Sequence, residues 1–180
     1  MLKIGVLVGF WILIALNPVA IGEKNISNYH LNLFDKSSKN VIDVYKISIG
    51  NIKLGMKENE IIKHLGKPKS RTTKYDDVCH SAYITTWNYN GLEIEGLSSS
   101  NNVSQSQVHL ITASSSGYPA DKGVKVGDSI SKAQKAYSKF LSRRNDSNFL
   151  AYTNDAYGGL VFSSNKQRLI REIRLVAASC

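Results

Sequence analysis

Cysteine and histidine are scarce in this chain, and their placement excludes several kinds of site. Two cysteines, Cys79 and Cys180, allow at most one disulfide within the 180 residues. Neither follows the apolar stretch near the start, which excludes a lipoprotein signal. Four histidines, His30, His64, His80 and His109, are scattered without metal-ligand spacing, so neither a metal nor a cofactor is expected. No nucleophile elbow and no phosphate-cradling loop occurs, and the serine-rich stretches 98–107 and 114–117 have the composition of loops. The apolar run from Ile4 to Leu16 is shorter than the about 20 residues a spanning helix needs. Acidic residues are outnumbered, 14 against 23 basic, for a net charge of +9. None of these counts names a reaction, and no catalytic residue is expected.

What is present begins with residues 1–22, MLKIGVLVGFWILIALNPVAIG, which carry one lysine, then the apolar run, then a proline and small residues. These are the parts of a secretory signal peptide, cut ahead of Glu23 or, alternatively, after Ala20. The expectation is a bacterial protein that is periplasmic or secreted, and soluble after cleavage. An even cysteine number in an exported chain favours pairing of Cys79 with Cys180. Closing a loop of about 100 residues would contribute up to about 4.7 kcal/mol in the chain-entropy model. Residues 23–46 read as an N-terminal arm and lead-in strand. Positions 23–40 are polar without a period, and 41–49, VIDVYKISI, are rich in the β-branched residues of a strand.

Two stretches then say nearly the same thing: NIKLGMKENEIIKHLG, residues 51–66, and KGVKVGDSISKAQKAY, residues 122–137. Ile52 aligns with Val124, Leu54 with Val126 and Gly55 with Gly127. Each copy continues into helical spacing. Ile61, Ile62 and Leu65 share a stripe in the first, stopped by Gly66 and Pro68. In the second, Asp128 or Ser129 caps a helix that buries Ile130, Ala133, Tyr137 and Phe140 or Leu141. After the first helix, YITTWNYNGLEIEG contains Asn90-Gly91, a type I′ hairpin signal. That turn puts Tyr89 opposite Leu92 and Trp87 opposite Ile94 on one face, with Asn88 opposite Glu93 and Thr86 opposite Glu95 on the other. Further echoes align Gly91-Leu92-Glu93-Ile94 with Gly159-Leu160-Val161-Phe162, and VHLITAS, 108–114, with IRLVAAS, 173–179. In the last pair Val108 and Leu110 match Ile173 and Leu175, with His109 and Arg174 between them on the opposite face. The fold expected is α+β: two tandem repeats, 47–116 and 117–180, each a short helical segment packed on an antiparallel β-meander. Joined, their sheets would present one concave face.

The glycine after two alternating apolar residues, the helix, the aromatic hairpin around Trp87 and the final strand together carry a resemblance. Over residues of about 45 to 179 the chain resembles the tandem-repeat β-lactamase inhibitor proteins and, per unit, the small outer-membrane-assembly lipoproteins of the SmpA/OmlA type. The resemblance implies a two-lobed protein that grips another protein without chemistry. No inhibitory residue carries over, and the lipidated cysteine of the assembly lipoproteins has no counterpart.

The polar sheet face is therefore the expected partner surface. Its residues are Asn88, Glu93, Glu95 and His109 in the first unit, and Tyr157, Val161 and Arg174 in the second. A second class, a hydrolase using Glu93, Glu95 and His109, stands beside it. Strand rise separates the two carboxylates by roughly 7 Å, and flexible side chains could reach the about 5–5.5 Å of a retaining glycosidase. Zinc would need Glu93 and His109 on neighbouring strands. Lys132, Lys135, Lys139, Arg143 and Arg144 form the most basic patch, suited to weak contact with an anionic membrane surface or an acidic partner. Export argues against nucleic acid. The expected role is a non-catalytic protein-binding module: an inhibitor or immunity protein for an envelope or foreign enzyme, or else an envelope-assembly helper.

Overall fold

The computed structural model describes residues 40–146, 148–153 and 158–177; the expected signal peptide, nearly all of the arm, Tyr157 and Cys180 lie outside them. In chain order the elements are α1 (Glu58–Leu65), β1 (Ser70–Asp76), β2 (Ala82–Tyr89), β3 (Leu92–Ser98), β4 (Gln107–Ala113), α2 (Ile130–Ala136), β5 (Ser142–Asn145), β6 (Phe149–Tyr152), β7 (Gly159–Ser164) and β8 (Ile170–Val176). Two single-turn 3-10 segments, Val44–Lys46 and Val103–Gln105, complete the described regular structure. The strands make one antiparallel sheet of eight, ordered β1-β2-β3-β4-β8-β7-β6-β5. The α+β class and the antiparallel sheet are thus as expected.

Alternation along the strands divides the sheet into two faces. Pairing places Trp87, Ile94, Ile111, Leu175, Leu160 and Tyr152 in one row across six strands. Every member of that row is buried. Both helices cover this side, because Ile61 of α1 and Ile130 and Ala133 of α2 belong to the same core cluster as Trp87 and Phe162. Polar contacts fix them there. The Trp87 indole donates to Glu58 Oε1 at 3.0 Å, and the Tyr89 hydroxyl donates to the carbonyl of Gly66 just past the end of α1. Tyr137, following α2, packs its ring 5.6 Å from those of both Tyr152 and Phe162. Truncating an aromatic in such a core costs about 3–5 kcal/mol.

The helix starts are held to the sheet in matching ways. Gly55 N–H donates to Val108 O and Val108 N–H returns to Met56 O; Gly127 N–H donates to Ile170 O and Ile170 N–H returns to Asp128 O. Both glycines have positive φ, +84° and +93°, where a side chain is strained even though no atom lies within 4 Å of an added Cβ. Each helix begins three residues after its glycine. At α1 the Glu60 carboxylate accepts from the Lys57 N–H, and at α2 the Ser129 hydroxyl accepts from the Lys132 N–H.

Several local expectations are corrected. Residues 41–49 do not form a strand: Val44–Lys46 is a 3-10 turn, although Ile42, Val44, Ile47 and Ile49 are buried in the core. The β-branched pattern there reflected burial. The β2–β3 register is as expected, Tyr89 to Leu92 and Asn88 to Glu93. Only Gly91 in that turn has positive φ, so the signs fit a type II turn rather than type I′. Helix α2 ends at Ala136, leaving Phe140 partly buried outside it and Leu141 exposed. Finally, a bulge between Glu95 and Gly96 shifts the register of β3 on β4, so Leu110 pairs with Glu95 on the uncovered face while Val108 stays in the core. The expected equivalence of Leu110 with the buried Leu175 therefore fails. By the hydrogen bonds above, Val108 corresponds to Ile170 instead of Ile173.

Candidate functional site

The uncovered face carries a second cross-strand row, one residue out of phase with the core. Ser70, Asn88, Glu93, Thr112, Arg174, Val161, Ala151 and Arg144 follow one another through all eight strands. Four expected partner-face residues, Asn88, Glu93, Val161 and Arg174, fall in this row. Glu93 is exposed, Asn88 donates to the Ser70 hydroxyl at 3.3 Å, and the Arg174 guanidinium lies 3.3 Å from Glu172 Oε1. Of the remaining candidates, Glu95 and His109 lie one step along β3 and β4, and Tyr157 lies outside the described residues.

The bulge decides what happens at His109. It turns the imidazole onto the uncovered side, 3.6 Å from Glu95 Oε2, beyond hydrogen-bond reach. His109 is 9 % exposed, and neither ring nitrogen has a hydrogen-bond partner. Its ring meets that of His80 edge to face at 5.1 Å. His80 in turn is held by Asp76, whose Oδ2 lies 2.8 Å from His80 Nδ1 and also accepts the His80 backbone N–H. The imidazole contact, with backbone N–H groups of His80, Val78 and Cys79, holds the Asp76 carboxyl below its ordinary range. Asp76 and Glu95 both line a cleft of about 340 Å³ with Thr72, Lys74, Tyr75, Ile84 and Thr86. The carboxylate that faces His109 is thus Glu95 and not Glu93. Asp76 and His80 were not foreseen, and the local signal was the i,i+4 spacing in the turn DDVCH.

The basic residues come from two elements and the turn between them. Lys132 and Lys135 lie on α2, Lys139 in the following turn, and Arg143 and Arg144 on the edge strand β5. Lys132 pairs with Asp128 at 2.8 Å and Arg144 with Asp146 at 2.7 Å. Lys139 lies over the Phe140 ring at 5.0 Å and Arg144 over Phe149 at 4.8 Å. Such pairing lowers the field the patch projects. Cys79 is not a free thiol, and its expected partner Cys180 lies outside the described residues.

Comparison with protein-family models, with curated proteins and with solved structures gave no match. No helix among the described residues is long and apolar enough to cross a membrane.

Proposed function

We propose that this chain is an exported, non-catalytic protein-binding module that docks a protein partner on the uncovered sheet face. The observation that carries the reading is the row from Ser70 to Arg144, which crosses all eight strands on the side that no described helix covers and bears the polar or charged Asn88, Glu93, Thr112, Arg174 and Arg144. Sheet faces of this kind present side chains from rigid strands, so docking orders few groups and costs little entropy. An inhibitor or immunity protein for an envelope or foreign enzyme uses a surface of this type, and an envelope-assembly helper would use it equally. The chain is read as two copies of one helix-plus-meander unit, like the tandem-repeat β-lactamase inhibitor proteins. The matching bonds from Gly55 and Gly127 to the fourth strand of each half support that duplication.

The competing hydrolase reading asks Glu93, Glu95 and His109 to converge. Glu93 does not line the cleft that Glu95 and Asp76 share, which favours the binder. Export carries the Cys79–Cys180 bond with it, so a thiol assay on the denatured, unreduced chain should count none. To test docking, the partner is captured from envelope extract, identified by mass spectrometry and purified. Its affinity is then measured for the native chain, for Glu93→Gln with Glu95→Gln, and for Arg174→Glu. Loss of tenfold or more in either variant is expected. Equal affinity for all three chains removes this face from consideration.

A further inference from the structure

The cluster beneath the cleft has the chemistry of a metal site. We propose that His80, His109 and Glu95 bind a divalent transition-metal ion of the zinc type, with Asp76 as the group that orients His80. This goes beyond the docking role and does not depend on it.

Three separate observations converge on the same few side chains. The first is His109, nine-tenths buried with both ring nitrogens unpartnered. A buried polar group without a partner is costly, and a bound ion is one of the standard ways such a group is satisfied. The second is spacing. Tetrahedral zinc with ligand bonds of about 2.0–2.1 Å puts neighbouring donors about 3.3 Å apart and two imidazole centres about 5 Å apart. His109 Nε2 and Glu95 Oε2 are 3.6 Å apart, and the His80 and His109 ring centres are 5.1 Å apart. The third is the Asp76–His80 contact at Nδ1, which leaves Nε2 of His80, 4.0 Å from the Cys79 sulfur, as its ligating atom. A carboxylate holding the far nitrogen of a ligating histidine is the usual outer support of a zinc site.

The donors come from three places in the fold: the turn between β1 and β2, β3, and the bulge in β4. Their side chains are only partly accessible, 19 % for His80, 26 % for Glu95 and 11 % for His109, so an ion there would be largely desolvated yet reachable from the cleft. Two imidazoles and a carboxylate suit zinc, copper or nickel rather than magnesium or calcium. The donors of His80, His109 and Glu95 do not all lie within 4.8 Å of one another, so the set needs a closure. The donors already within 4.8 Å of one another are those of Asp76, Cys79 and His80; Cys79 is not a free thiol and is not counted as a ligand. Binding therefore requires Glu95 and His109 to turn toward Nε2 of His80 while Asp76 keeps its contact at Nδ1.

The test uses the full purified chain, stripped with chelator. ZnCl₂ is titrated against a chromophoric competitor, and CoCl₂ is added separately to read ligand-field absorption. One ion per chain is expected, with the intense visible bands of tetrahedral cobalt. His109→Ala, His80→Ala and Glu95→Gln should each weaken zinc by tenfold or more, and Asp76→Asn by 10–100-fold, the range for an outer-shell partner. His64→Ala, on the exposed side of α1, should bind as the native chain does. The three ligand variants are independent, so misfolding of one, read by circular dichroism, leaves the other two to decide. Failure of the native chain to compete for zinc, octahedral cobalt spectra, or unchanged affinity in the folded ligand variants overturns the proposal.

Discussion

The halves β1–β4 and β5–β8 share their covered side and differ on the other. Beneath the helices, Trp87, Ile94 and Ile111 of the first half continue directly into Leu175, Leu160 and Tyr152 of the second. On the uncovered side the first half sets out Asp76, Glu93, Glu95, His109 and Lys74, whereas the second has Arg174 and Arg144 with Val161 and the buried Ala151 and Ser163. Strand lengths differ too: β1–β4 have seven or eight residues, while β5 and β6 have four. Packing restricts a covered face to side chains that fill a shared core. An uncovered face carries no such restriction, so it is where the two halves differ.

If the two halves share one core, truncation in either must weaken both. Trp87→Ala and Phe162→Ala should each cost about 3–5 kcal/mol, with a single unfolding transition in urea followed by fluorescence and by circular dichroism. Two separated transitions would break the comparison. Gly55→Ala and Gly127→Ala sharpen it at the helix starts. Neither added Cβ meets an atom within 4 Å, so the cost is backbone strain alone, about 1–2 kcal/mol, and nearly equal at the two sites. A gap above about 1 kcal/mol between them would show that the matching bonds do different jobs.

The pH limits draw on both halves. Around Glu58, burial pushes the carboxyl up, but the Trp87 indole and Arg71 outweigh it and hold the carboxyl below its ordinary 4.5. In the second half, hydrogen bonds from Lys132 to Asp128 and from Arg144 to Asp146 hold those carboxyls below 3.8. Groups with lowered folded values stabilise fully above the unfolded value and lose that contribution as pH falls through the folded one. Unfolding free energy should therefore decline below about pH 4.5 in both halves, less so in Glu58→Gln. At alkaline pH both halves contribute, since burial raises the Tyr89 phenol of the first half as well as those of Tyr137 and Tyr152 in the second. Burial, then the hydrogen bond to Asp121, raises the Tyr137 phenol above its ordinary 10.0, so its contribution is complete below pH 10 and lost above. Tyr137→Phe should flatten the stability profile above pH 10; an unchanged profile would assign that limit elsewhere. The smallest effect is expected from Glu93→Gln with Glu95→Gln in the chelator-stripped chain, within about 0.5 kcal/mol in urea unfolding, so loss of docking by that stripped variant reports on the surface and not on the fold.

The register of β2 on β3 was legible because Trp87, Tyr89, Leu92 and Ile94 alternate with polar residues around a glycine turn. Helix α1 was legible from Ile61, Leu65 and Gly66. The edge strands were not: SRTTKYD and SRRN lack an apolar face, and they are strands because a neighbour offers hydrogen bonds. Residues 41–49 misled in the opposite sense, since burial without strand pairing produces the same β-branched pattern. Half of the candidate site was named in advance through Glu95 and His109, while Asp76 and His80 were missed, because side chains 15 or more residues apart converge only through a turn and a bulge.

By itself the sequence determined which side chains must leave water, and thereby the class of fold, the β2–β3 pairing and the covered face, since apolar periodicity is a local property of the chain. Only the tertiary structure decided that all eight strands join in one sheet, that β4 is bulged and that Glu95 rather than Glu93 meets His109. Those outcomes depend on hydrogen bonds between segments far apart in the chain, and a one-residue shift in such a pairing moves every following side chain to the other face.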